Sequence, residues 1–280
     1  MNARARPSKA PMLRVALAQY SAGADIENIC SEACKLGAEI LVFPEMYSNG
    51  YAKFDRTSQS MRQTWLDGAV DLESAYVNRF RQAALHYGIA IVTTFLEKGV
   101  DKPFNSAVLI DATGTCVLHQ RKRHICFFDN PEEVCGAGDT SSVFRLNTAT
   151  RSVTIGIVIC MDREYSDVSS DLVAKGAELL LIPNSCQLID DDVVGDVRVA
   201  GVRAMAFQNC LGIAVANYPS PKDDGHSFAV DALGRIIHMA DTTPKLVTVD
   251  FDLDALANIR AKEWFRRTPG RTVQKATDSH

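Results

Sequence analysis

A thiol, a carboxylate and an ammonium stand at three points of the chain where side chains emerge from the end of a strand. Cys160 closes the apolar run 153–159 and precedes a segment with helical character. Glu45 closes the run 40–44, and Lys122 follows the run 115–119. A cysteine at a strand-to-helix bend faces outward and the helix dipole favours its thiolate, so Cys160 is the strongest candidate nucleophile. A carboxylate can take the thiol proton, and an ammonium can meet the charge that develops on an attacked carbonyl oxygen. Taken singly, each residue also has an ordinary reading. Cys160 could be a buried small hydrophobe, Glu45 a loop acid, and Lys122 part of the solvated basic run 121–124.

The elements that must position these groups are written twice. Gly37-Ala-Glu-Ile-Leu-Val-Phe-Pro-Glu45 is matched by Gly176-Ala-Glu-Leu-Leu-Leu-Ile-Pro-Asn184, and Asn105-Ser-Ala-Val-Leu-Ile-Asp-Ala-Thr-Gly114 by Gly225-His-Ser-Phe-Ala-Val-Asp-Ala-Leu-Gly234. Between them, Tyr87-Gly-Ile-Ala-Ile-Val92 is matched by Leu211-Gly-Ile-Ala-Val-Ala216, so the order is the same in both halves. Each unit reads strand, helix, strand, helix, strand, hairpin. Strands fall at 13–18, 40–43, 89–95, 106–110 and 115–119, and again at 153–159, 179–182, 213–217, 227–230 and 235–238. Helices fall at 25–36, 72–87, 168–175 and 196–209, and a last strand at 245–251. Short apolar strands alternating with helices imply partly parallel sheets buried on both faces. The expectation is an α/β fold: a four-layer αββα sandwich of two mixed sheets with an internal pseudo-twofold duplication. It occupies one domain over 12–280, with 1–11 a flexible terminus and 253–280 a C-terminal helix and tail. Ligands bind such sheets beyond the carboxyl ends of parallel strands, where the three reactive residues lie.

Together the three residues carry a resemblance. Leu41-Val-Phe-Pro-Glu45-Met-Tyr-Ser-Asn-Gly-Tyr51, Arg121-Lys122-Arg-His-Ile125 and Gly156-Ile-Val-Ile-Cys160-Met-Asp162 are similar to the three signature blocks of the nitrilase superfamily of carbon–nitrogen hydrolases. The resemblance covers about residues 13–270 and implies the same αββα fold. It implies Glu45, Lys122 and Cys160 as general base, cation and nucleophile, with the Met161 backbone N–H as oxyanion donor and either Glu132 or Glu133 as a second active-site acid. It also implies hydrolysis of a small amide or N-carbamoyl compound through a thioester, without metal or organic cofactor. Met161-Asp162 after the nucleophile looks like the amidase and carbamoylase branches, where true nitrilases have Trp-Glu. Arg163 fits either a substrate carboxylate or a nearby acid, and Tyr51 and Asn184 are further candidates for substrate binding. The chain departs from the pattern at Tyr165-Ser166-Asp167, where Phe-Pro-Glu is frequent; Ser166 is then the expected helix cap. A nitrile-hydrolysing relative and a catalytically silent binding protein are the alternatives.

Bulk properties narrow the partners to a small molecule and a second copy of the chain. Thirty Lys and Arg against 34 Asp and Glu leave a net charge of −4, which offers nothing to nucleic acid or an anionic membrane. No apolar stretch reaches the ~18 residues of a spanning helix, and the basic first residues lack the apolar core of a secretory signal. Eight cysteines without a CxxC pair read as reduced thiols of a cytoplasmic protein, most of them buried. Cys30 and Cys34 share a helix face, and core packing is their expected role. The aromatic and basic tail 264–273 is expected to pack on the body or on a partner, and the resemblance implies at least a homodimer.

Overall fold

The computed structural model describes residues 12–128 and 131–262. In chain order its elements are β1 Leu13–Gln19, α1 Ile26–Lys35, β2 Ile40–Val42, α2 Gln59–Asp67, α3 Ala75–Tyr87, β3 Ala90–Glu97, β4 Phe104–Ile110, β5 Cys116–Arg121 and β6 Val143–Asn147. They continue with β7 Ser152–Ile157, α4 Ser166–Ala174, β8 Leu179–Pro183, α5 Val197–Asn209, β9 Gly212–Ala216, β10 Phe228–Val230, β11 Ile236–Met239, β12 Lys245–Phe251 and α6 Leu253–Lys262. The expectations for 1–11 and for the tail beyond 262 lie outside the described residues.

Two six-stranded mixed sheets form, in the orders β12-β1-β2-β3-β4-β5 and β11-β10-β9-β8-β7-β6. The sixth strand of each unit crosses to the other unit's sheet: β6 pairs antiparallel with β7, and β12 with β1. Alternate residues of each strand serve different cores, as the two-residue period requires. Val15, Leu17, Ile40 and Val42 meet Ile155, Ile157, Leu179 and Leu181 between the sheets. Ala16, Leu41 and Phe43 face α1 and α3, with Phe43 edge-on to Phe80 at 5.1 Å. Val158, Leu180 and Ile182 pack with Val168, Leu172 and Val202 of α4 and α5. This is the αββα sandwich.

Equivalent residues of the two units make equivalent hydrogen bonds. Glu39 N donates to Arg14 O and its carbonyl accepts from Ala90 N, just as Glu178 N donates to Thr154 O and its carbonyl accepts from Gly212 N. Arg81 Nε binds Gly114 O at 3.0 Å, and Arg203 Nε binds Gly234 O at 2.9 Å.

Local chemistry accounts for the helix limits. Asp25 caps α1 by accepting from Glu27 N and Asn28 N, and the buried face is Ile26, Ile29, Cys30 and Ala33. Cys30 packs in the core, but Cys34, one turn on, is exposed, which corrects the expectation for it. α3 starts at Ala75 rather than near 72, because Ser74 accepts from Val77 N and caps it; Gly88 ends it at φ 64. Ser166 is not a cap. It is the first residue of α4, Tyr165 precedes it, and no side chain caps that end.

Candidate active site

Each of the three reactive side chains is presented by a backbone that is itself fixed. Beyond β2, the Glu45 N–H donates to Asn184 O at 3.3 Å and the Glu45 carbonyl accepts from Tyr218 Oη at 2.8 Å. Thr94 Oγ1 donates to Pro44 O and accepts from Tyr47 N at 2.8 Å. Glu45 and Asn184 are the matching residues of the two repeats, so the duplicated strand ends meet here. Lys122 follows β5 directly; its N–H donates to Asn105 O and its carbonyl accepts from Gly138 N, both at 2.8 Å. A Cβ on Gly138 would lie 2.7 Å from Arg121 O, so this approach requires glycine. Cys160 lies three residues past β7 with φ 44, a left-handed backbone uncommon outside glycine. It opens a five-residue 3₁₀ turn, Cys160–Glu164, and the α-helix follows only at Ser166.

The side chains of Glu45, Lys122 and Glu132 form a fully buried cluster. Lys122 Nζ lies 2.8 Å from Glu45 Oε1 and 2.6 Å from Glu132 Oε1. Asn105 Nδ2 donates to the same two oxygens, at 2.7 Å to Glu45. Glu132 Oε2 accepts from Cys126 N at 2.7 Å. Glu45 Oε2 is buried and accepts no hydrogen bond from any described residue. Glu132, not Glu133, therefore enters the cluster; Glu133 pairs with Arg56 at 2.9 Å nearer the surface.

The electrostatics separate the two carboxylates. Burial raises Glu45 well above the usual carboxylate range, negative charge on Cys160 adds to this, and Lys122 opposes it. Glu132 is held below its usual range: burial works against this, and the charge and hydrogen bond of Lys122 overcome it. Burial likewise works against the Lys122 ammonium, but the two carboxylates hold its pKa well above the ordinary lysine value. Lys122 thus stays charged, Glu132 stays ionised, and Glu45 is poised to carry a proton.

Cys160 faces a second polar group. Arg163 Nη1 lies 3.5 Å from Cys160 Sγ and 2.5 Å from Asn184 Oδ1, while Arg163 Nη2 lies 3.3 Å from Cys186 Sγ. Glu164 pairs with Arg163 at 3.2 Å, so Arg163 both meets a neighbouring acid and borders the nucleophile candidate. Asn184 Nδ2 donates to Asn217 Oδ1 at 2.9 Å. The neighbouring Cys186, then burial, push the Cys160 thiol well up, and the Lys122 and Arg163 charges do not reverse this. The thiol therefore needs a base at the moment of attack. Cys160, Met161, Arg163, Tyr51, Cys126 and Cys186 line one open cavity of about 360 Å³, a size that admits a small ligand.

Several residues of the site were given no role there by the sequence. Asn105, a polar residue inside an apolar strand, bridges the two carboxylates. Asp162 accepts from Arg123 N and His124 N, the latter at 2.7 Å, and so ties the Cys160 turn to the segment after Lys122. The departing run has a use: Asp167 binds Arg123 at 2.9 Å and His124 at 3.0 Å, and Tyr165 stacks on His124 at 3.8 Å. Asp190, Asp224 and His226 are close enough to suggest a cation site, but Asp224 Oδ2 already accepts from the N–H groups of Leu188, Ile189 and Asp190.

Comparison with known proteins follows the same line. A carbon–nitrogen hydrolase model matches residues 14–261. An (R)-stereoselective amidase from Pseudomonas sp. is 30% identical over 233 residues, covering 81% of this chain and 78% of that protein. An N-carbamoylputrescine amidase from Oryza sativa subsp. japonica is 26% identical, covering 84% and 81%. Among solved structures, a variant of the amidase from Nesterenkonia sp. AN1, which carries acrylamide on its active site cysteine, superposes with a TM-score of 0.71 at 25% identity, covering 89% of this chain and 97% of that one.

Proposed function

The chain belongs to the carbon–nitrogen hydrolase family of the nitrilase superfamily, and from that membership and the buried cluster we propose that it hydrolyses a small amide or N-carbamoyl compound through a thioester on Cys160. The observation that carries this reading is the state of Glu45. One oxygen is held by Lys122 and Asn105, and the other is buried and has no partner among the described residues. A carboxylate so held, with its pKa raised, can take up and return a proton.

In the proposed reaction Glu45 takes the Cys160 thiol proton as sulfur attacks the carbonyl carbon. The oxyanion is met by the Lys122 ammonium and the Met161 N–H. Collapse of the tetrahedral adduct breaks the carbon–nitrogen bond, and Glu45 returns its proton to the departing amine or ammonia. Glu45 then deprotonates a water that attacks the thioester, releasing the acid and restoring the thiol. Glu132 keeps Lys122 charged and in place, and Arg163, Tyr51 and Asn184 shape the substrate's surroundings. The amidase and N-carbamoylputrescine amidase activities named for the relatives fall in this substrate range. A homodimer is part of the proposal: Val193 and Val197 are exposed before and at the start of α5, apolar surface that a second copy would cover. Eight free cysteines suit a reducing cytoplasm. No helix among the described residues is long and apolar enough to cross a membrane.

Cys186 is the rival nucleophile, because its pKa is lowered to about 6, first by the neighbouring Cys160. The test is a panel of small amides, N-carbamoyl compounds and nitriles, scored by ammonia release, with peptide mapping of the trapped acyl adduct. Amide or carbamoyl turnover with the adduct on Cys160, lost in Cys160→Ala, is expected. An adduct on Cys186, or normal turnover by folded Cys160→Ala, would overturn the reading; turnover of nitriles alone would replace the substrate class.

A further inference from the structure

Cys186 is not needed for the chemistry above, yet it sits against the proposed nucleophile. Cys160 follows β7 and Cys186 follows β8. These strands are parallel neighbours, with Ile157 beside Leu181, so the two chain segments leave the sheet about one strand spacing apart. Cys160 Sγ donates to Ser185 O, the carbonyl just before Cys186, at 3.8 Å. One guanidinium spans both sulfurs, with Arg163 Nη1 3.5 Å from Cys160 and Nη2 3.3 Å from Cys186. Asn184 Nδ2 donates to Cys186 Sγ at 3.4 Å, and both sulfurs border the open cavity. Cys126 shares that cavity but is engaged elsewhere, 3.6 Å from Lys122 Nζ and 3.4 Å from Met161 Sδ.

We propose that Cys160 and Cys186 form a peroxide-sensitive dithiol that closes to a reversible disulfide across the mouth of the active site. The neighbouring Cys160 thiol, the Arg163 charge and the Asn184 hydrogen bond favour a thiolate at Cys186 near neutral pH. That thiolate attacks one oxygen of hydrogen peroxide. The O–O bond breaks, hydroxide leaves, and Cys186 becomes a sulfenic acid. The Cys160 sulfur then displaces the sulfenic hydroxyl, which departs as water with the Cys160 proton, and the S–S bond forms. The two sulfurs supply the two electrons that reduce the peroxide. The cross-link would protect Cys160 from the irreversible sulfinic state. On the reading that Cys160 is the nucleophile, it also stops hydrolysis until a thiol reductant reopens it.

Arg151, Arg163, Lys175 and Arg198 place Cys160 and Cys186 on different tryptic peptides, and Cys126 falls on a third between Arg123 and Arg145. The full chain is treated with a small excess of hydrogen peroxide, capped with N-ethylmaleimide and mapped without reduction. The expected product is a Cys160–Cys186 linked peptide, two hydrogens lighter than the separate thiols. It should accumulate in step with loss of ammonia release, form equally in Cys126→Ser, and disappear with dithiothreitol as activity returns. Accumulation of the link with hydrolysis untouched supports the dithiol and removes Cys160 as nucleophile. Recovery of Cys160 as sulfinic acid beside an alkylated Cys186, or a Cys160–Cys126 link, overturns the proposal.

Discussion

Lys122→Met tests the buried cluster directly, because methionine keeps an unbranched apolar stem and removes the charge. The ammonium lies 2.8 Å from Glu45 Oε1 and 2.6 Å from Glu132 Oε1. At a tetrahedral angle those contacts hold the two oxygens ~4.4 Å apart, where two carboxylates repel by about 4 kcal/mol at an effective dielectric near 20. Removing one partner of a buried pair costs about 3–5 kcal/mol, in agreement. The penalty depends on pH because the variant can escape it by binding protons. In the wild type, Glu132 has a depressed pKa, so it contributes stability above the ordinary glutamate range that is lost as pH falls through its folded value. Lys122 has a raised one and contributes stability below the ordinary lysine value, lost only as pH rises through its folded value. Methionine removes both contributions. The two carboxylates left behind then favour protonation in the fold, and the variant loses stability as pH rises. Urea unfolding at constant ionic strength should show a wild-type advantage near zero or reversed at about pH 4.5, widening to about 3–5 kcal/mol by about pH 8. An advantage that is constant between those limits, or largest in acid, would refute a lysine-bridged carboxylate pair.

Glu45→Gln should bind substrate yet acylate about 10²–10⁴-fold more slowly, as loss of a general base does; single-turnover mass spectrometry reads the adduct, and wild-type acylation would end the base assignment. Glu132→Gln removes a like charge that helps raise Glu45, so the acid limb of the kcat/KM profile should move to lower pH; an unmoved or raised limb counts against the coupling. Phe80→Ala empties a fully buried site against Phe43 and Tyr76 and should cost about 3–5 kcal/mol in urea unfolding; a loss below about 1 kcal/mol would show that the helix layer packs loosely there.

Much of the architecture is legible because local and global signals agree. The buried stripe of α1 and the apolar strands repeat at the periods their faces demand, and the two copies report the same unit twice. Two elements escaped this reading. α2 buries only Trp65, so it shows no apolar stripe. β6 is a half-exposed edge strand whose residues are mixed in polarity; its place follows from pairing with β7 of the other unit, a long-range contact. The start of α3 turned on the Ser74 side chain reaching the Val77 N–H, which composition leaves open.

By itself the amino-acid order determined the duplicated units, the strands that end at Glu45, Lys122 and Cys160, and the family blocks around them, because these are properties of neighbours along the chain. Tertiary structure decided which of Glu132 and Glu133 turns inward, that Asn105 bridges two carboxylates, and that Arg163 borders Cys160 while pairing with Glu164. It also set Cys186 beside Cys160, with Arg163 reaching both sulfurs. These outcomes depend on distance and burial between residues far apart in sequence. An acid 2.6 Å from a buried ammonium and its neighbour at the surface are the same residue type, and only the fold gives them different chemistry.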